Sequence, residues 1–162
     1  MNAPLRTGEG VLRIADLSDP IACARIGAFV HGHPQGSPFH LPAWSRAVET
    51  GCGQKAHYLI AERGQNIVGV LPLTEMRSPL FGRAMVSAGF GVGGGILADD
   101  ERAALLLADA AWGQARAHGC PTVELRGGAQ PGPGWEADCE TYLGFARDLA
   151  AAGMDRVTGD HM

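Results

Sequence analysis

The 162 residues carry 13 lysines and arginines against 17 aspartates and glutamates, a formal charge of −4 and a pI near 5.8. That balance argues against DNA or RNA as a direct partner, and no basic run offsets it. No stretch approaches the roughly 20 apolar residues that span a bilayer, and residues 1–17 lack the cationic start and apolar centre of a signal peptide, so a cytoplasmic, single-domain protein is expected.

In chain order, residues 1–10 read as a loose leader and Val11–Ala15 as a first strand. Asp19 caps a helix with Pro20 in its first turn, and the apolar Cys23, Ile26, Phe29 and Val30 carry it to His31-Gly32. A polar turn over Pro34–Pro38 leads to a second helix from Pro42 to about Thr50, with Gly51 as its stop. Lys55–Arg63, Ile67–Arg77 and Ala84–Ala88 then form an antiparallel meander, reversed at Gly64-Gln65-Asn66 and at Ser78–Gly82. Pro72 inside the middle strand predicts a bulge or a locally unpaired edge, because proline donates no ladder hydrogen bond.

Gly89–Gly95 is a turn with little side-chain bulk, open to close approach by a backbone or a ligand. The helix that follows has Asp99 as N-cap and Gly119 as C′ residue. Ala104, Leu107, Ala108, Ala111, Trp112 and Ala115 share the face that packs on the sheet, and emptying the Trp112 site should cost about 3–5 kcal/mol. Thr122–Arg126 closes a β-α-β unit, with the turn at the helix N-terminus, a natural place for an anion. Gly127–Gly134 is a loop, Thr141–Leu149 one more strand, and 150–162 a frayed tail. Cys23, Cys52, Cys120 and Cys139 show no C-x-x-C pairing and read as reduced thiols.

This order of elements resembles the GNAT-type acyl-CoA N-acyltransferase fold, an α+β architecture with a mixed, mostly antiparallel sheet flanked by helices. The local sequence is more specific. Pro38-Phe39-His40-Leu41-Pro42-Ala43-Trp44, His57-Tyr58-Leu59-Ile60-Ala61-Glu62, Gly69-Val70-Leu71-Pro72-Leu73, Ser78-Pro79-Leu80-Phe81-Gly82 and Val123-Glu124-Leu125-Arg126 resemble the N-terminal half of FemAB-related proteins, in the branch associated with exosortase/PEP-CTERM systems. The resemblance covers residues 11–149 and implies one GNAT-like domain over 1–149, the first of two such halves. It also implies acyl or aminoacyl transfer to an amine of a small-molecule or peptide substrate in cell-envelope or exopolysaccharide biology, with acyl-CoA or aminoacyl-tRNA as the donor. The alternative is a catalytically silent GNAT-fold scaffold or binding module. A lone half would leave a strand edge near Thr141–Leu149, so a homodimer is expected.

Glu124 is the candidate base for the amine proton, with His57 and Tyr58 on a neighbouring strand. Arg77, Arg83 and Arg126 are candidates for an anionic group of the substrate. Gly91, Gly93 and Gly94 would present N–H groups to a donor pyrophosphate, but the turn lacks the Gln or Arg head and any basic residue, so acetyl-CoA should bind weakly or not at all. His31, His33 and His40 have no thiol or carboxylate at ligand spacing, and no metal site is expected there. Hydrolase, kinase and dehydrogenase fingerprints are absent from the sequence.

Overall fold

The computed structural model describes residues 6–7, 10–80 and 82–138. Within them the elements are β1 (Arg6–Thr7), β2 (Gly10–Ile14), α1 (Pro20–Gly32), a 3-10 turn (Pro38–His40), α2 (Pro42–Cys52), β3 (Lys55–Arg63) and β4 (Asn66–Ser78). They continue with β5 (Gly82–Ser87), β6 (Leu97–Ala98), α3 (Glu101–Ala117) and β7 (Val123–Leu125). The expected strand at Thr141–Leu149, the tail 150–162, Cys139 and the dimer edge lie outside the described residues.

One sheet runs in the order β1-β2-β3-β4-β5-β7, with β6 paired to β4. Neighbours are antiparallel except β5 and β7, which run parallel with α3 as the crossover. The leader is not wholly loose, because Arg6 and Thr7 pair with Val11 and Gly10. Pro72 keeps its place opposite Tyr58 on β3. On its other side β4 pairs β6 only at Gly69 and Val70 and pairs β5 only from Thr74, so Pro72 falls in an unpaired gap where a missing N–H costs nothing. The register shift is elsewhere, between Ala61 and Glu62.

Side chains alternate across the sheet and so define its two faces. Leu59, Leu71, Leu73 and Met85 pack with Leu107, Ala108, Ala111 and Ala115 of α3. Tyr58, Ile60 and Val70 face Ile26 and Val30 of α1. Each fully buried aliphatic side chain contributes about 1.5–3 kcal/mol relative to exposure. Trp112 stands at the margin of the α3 face, half-buried and 5.7 Å from the Trp135 ring, so it is not a central core residue.

Helix ends are set by capping chemistry. Asp19 accepts from the Ile21 N–H, as its sequence position predicts. The cap of α3 is Asp100 and not Asp99, its carboxylate accepting from the Ala103 N–H at 2.9 Å. Helix α2 runs through Gly51 and stops at Gly53, which takes the left-handed conformation at φ 66°. Gly51 has no such role, because the chain remains helical there.

Candidate functional site

The polar candidates separate into two groups on opposite faces of the sheet. The first lies where β5 and β7 end. Glu124 pairs with Val86 across these parallel strands, on the face opposite Met85 and Val123. Its side chain is 52% exposed and ion-pairs with Arg126 at 2.7 Å. Arg126 also donates to the Gly91 carbonyl at 3.3 Å and so ties β7 to the glycine turn. Phe90 and Val92 flank that carbonyl as exposed apolar side chains, and Phe90 holds φ 60°, a conformation a non-glycine residue adopts only under constraint.

Three N–H groups and three carbonyls of the turn are satisfied from within the protein. Gly89, Gly91 and Gly95 give their N–H groups to Thr74 Oγ1, the Ala88 carbonyl and the Arg126 carbonyl, all at 2.9–3.0 Å. Its carbonyls receive Trp44 Nε1–H at Gly89, the Ser37 hydroxyl at Gly93 and His40 Nε2–H at Gly95. His40 Nδ1 accepts from the Ser37 N–H, which leaves the proton on Nε2 for Gly95. The Phe39 ring lies directly on Gly91, where a Cβ would meet it at 2.7 Å.

Between the turn and α3 the chain inserts β6, so the turn is not at the helix N-terminus. That N-terminus carries Asp99, Asp100 and Glu101, and Asp100 is held below the usual carboxylate range by the Ala103 N–H and then by Arg63. Three acidic residues at a helix start complement its dipole and repel a pyrophosphate.

The second group surrounds Glu75, whose side chain is fully buried. One carboxylate oxygen, Oε1, accepts from Arg77 Nε at 2.9 Å and from Arg83. The other, Oε2, faces His57 Nε2 at 3.5 Å and His118 Nδ1 at 3.6 Å. Burial alone would raise the Glu75 pKa, but hydrogen bonds from Arg83, Arg77 and His57 outweigh it and bring it down to about 2. The His57 pKa falls below its ordinary value, first through burial and then through the neighbouring His118.

His57, Arg77 and Arg83 are thus brought together, and Glu124 and Arg126 form a separate pair. Tyr58 joins neither group. Its side chain points to the face opposite His57 and donates to the His40 carbonyl in the core, and burial drives its phenol pKa far up. Gly91 and Gly94 pack under Phe39, and Gly93 takes φ 81° with open space around it. His31, His33 and His40 do not converge: His31 is exposed, His33 faces the Ala98 carbonyl and His40 is buried under the turn.

Glu75 and His118 escaped the sequence reading. Glu75 had a readable signal, because it continues the inward phase of Leu71 and Leu73 and so had to be a buried carboxylate with partners.

Among solved structures the chain is similar to ribosomal-protein-alanine N-acetyltransferase from Brucella melitensis biovar Abortus 2308, at TM-score 0.54 and 17% identity over 86% of this chain and all of that one. It is also similar to a GNAT family acetyltransferase of Staphylococcus aureus subsp. aureus USA300_TCH1516, at TM-score 0.52 and 16% identity over 88% of this chain and all of that one. No family model and no curated protein sequence matches the chain. The likeness shows the GNAT-like α+β fold that the sequence implies.

Proposed function

We propose that this GNAT-fold chain serves acyl or aminoacyl transfer to an amine, as a FemAB-related protein of cell-envelope or exopolysaccharide biology. The observation that carries this reading is Glu124, an exposed carboxylate at the carboxyl ends of two parallel strands, where crevices of open sheets take ligands. The amine nitrogen attacks the acyl carbonyl and passes its proton to Glu124, while the donor oxygen or sulfur leaves with the bond's electron pair. Arg126 holds the Glu124 carboxylate in place through their 2.7 Å ion pair. Arg77, Arg83 and His57 lie on the other face of the sheet and act on Glu75 instead of on Glu124.

Incubation of the protein with acyl-CoA and aminoacyl donors and with amine acceptors, followed by mass spectrometry, tests the proposal. An acylated acceptor is expected, with Glu124→Gln lowering the rate about a hundredfold. Equal rates in the two proteins would remove Glu124 from the chemistry.

The second reading, a catalytically silent scaffold or binding module, is favoured by the glycine turn. The amides of Gly89, Gly91 and Gly95 are already donated to protein acceptors, and the acidic start of α3 opposes a phosphate. Calorimetric titration with acetyl-CoA separates the cases: micromolar or tighter binding would make Gly91, Gly93 and Gly94 the cofactor site, and no heat is expected.

A further inference from the structure

We propose that His57 Nε2, Glu75 Oε2 and His118 Nδ1 form a binding site for a zinc-class divalent cation, with a fourth position open to water or a ligand oxygen. One ligand atom from each of the three residues lies within 4.8 Å of the other two, and Oε2 stands 3.5 and 3.6 Å from the two ring nitrogens. A charge-assisted hydrogen bond prefers about 2.8 Å, so the His57 hydrogen bond at 3.5 Å is a long, weak one and His118 at 3.6 Å makes only an ion-pair contact. These separations suit ligands around a shared ion. Zinc bonds of about 2.0–2.1 Å in tetrahedral geometry place neighbouring ligand atoms about 3.4 Å apart.

The surroundings support the same assignment. Arg77 and Arg83 occupy Oε1 and orient the carboxylate, so that Oε2 is the oxygen turned to the imidazoles. Two imidazoles and one carboxylate suit zinc, whereas magnesium and calcium take mostly oxygen ligands. His57 comes from β3, Glu75 from β4 and His118 from the end of α3, so an ion would clip the helix to the sheet. His118 is 29% exposed and gives the ion a way in.

The test uses the full chain stripped with a chelator and then titrated with zinc chloride in a calorimeter and with cobalt(II) chloride by visible absorption. One equivalent of zinc at micromolar or tighter affinity is expected, with the intense visible bands of four-coordinate cobalt and no response to magnesium chloride. His118→Ala, at a partly exposed helix end, should keep its circular dichroism and weaken zinc binding at least about tenfold. His31→Ala, an exposed histidine on α1, should bind as the unchanged protein does. Absence of zinc binding, or equal affinity in His118→Ala, overturns the proposal, and so does a loss in His31→Ala as large as that in His118→Ala.

Discussion

The Cα of Gly95 lies against the carbonyl of Gly127 so closely that a Cβ there would stand 1.7 Å from the oxygen. The contact is between two backbones, and neither can yield as a flexible side chain would. It closes the glycine turn onto the chain leaving β7 and holds the Gly95 N–H on the Arg126 carbonyl at 2.9 Å. Gly95→Ala should therefore destabilise the protein by about 3 kcal/mol, the upper end of overpacking costs. Gly113 is the contrast, since it sits in α3 with nothing within 4 Å of a built Cβ. Gly113→Ala should gain about 0.5–1 kcal/mol from helix propensity. Thermal unfolding of both variants decides, and equal melting temperatures would contradict the close approach.

Glu75 makes stability depend on acid pH. Its folded pKa of about 2 lies below the ordinary 4.5, so the stabilisation is complete above about pH 4.5 and is lost as the pH falls towards 2. The shift corresponds to about 3 kcal/mol as an upper figure. Glu75→Gln leaves two guanidinium groups without their anion and should cost about 3 kcal/mol at pH 7. Denaturant midpoints across pH should show the two proteins converging below pH 4.5. A difference that stays constant down to pH 3 would mean that the arginines do not hold the carboxylate.

Much of this arrangement was legible in the sequence, and what was not has a physical reason. The meander, the crossover helix and the Pro72 gap follow from alternation, periodicity and a missing N–H, which are local. Asp99 and Asp100 are equally good caps by composition, and only the path of the inserted β6 decides between them. Gly51 and Gly53 differ in the same way, because the helix ends where α2 meets β3 and not where the first glycine occurs. The Glu75 group joins three elements, with His57 and His118 sixty-one positions apart, and no local spacing encodes it. His57 and Tyr58, adjacent in sequence, are separated by the pleat into a polar group and a core.

Trp112 illustrates how a face read from periodicity can overstate burial. It belongs to the right side of α3 but leans on Trp135 at the margin of the core. Trp112→Ala should cost about 2 kcal/mol, below the full cost of emptying an enclosed aromatic site. A double-mutant cycle with Trp135→Ala should return a coupling of about 0.5–1.5 kcal/mol. No coupling would place the two rings out of contact in solution.

Tyr58 provides the sharpest separation of structural from catalytic roles. Its hydroxyl is the donor for the His40 carbonyl, and His40 in turn holds the Gly95 carbonyl at 3.1 Å, so the phenol supports the glycine turn from below. Tyr58→Phe keeps the ring and removes only that donor, leaving the His40 carbonyl in a buried place with one partner fewer. The expected cost is about 1–3 kcal/mol, that of an unsatisfied buried acceptor. Because burial holds the phenol far above its ordinary pKa, ultraviolet titration should show Tyr58 ionising only when the protein unfolds in alkali. The stability loss should appear in denaturant midpoints at pH 7, and any acyl-transfer rate should remain within about twofold once the variant is folded. A rate loss of a hundredfold without a loss of stability would return Tyr58 to the chemistry, because a group that acts only through packing cannot give that pattern.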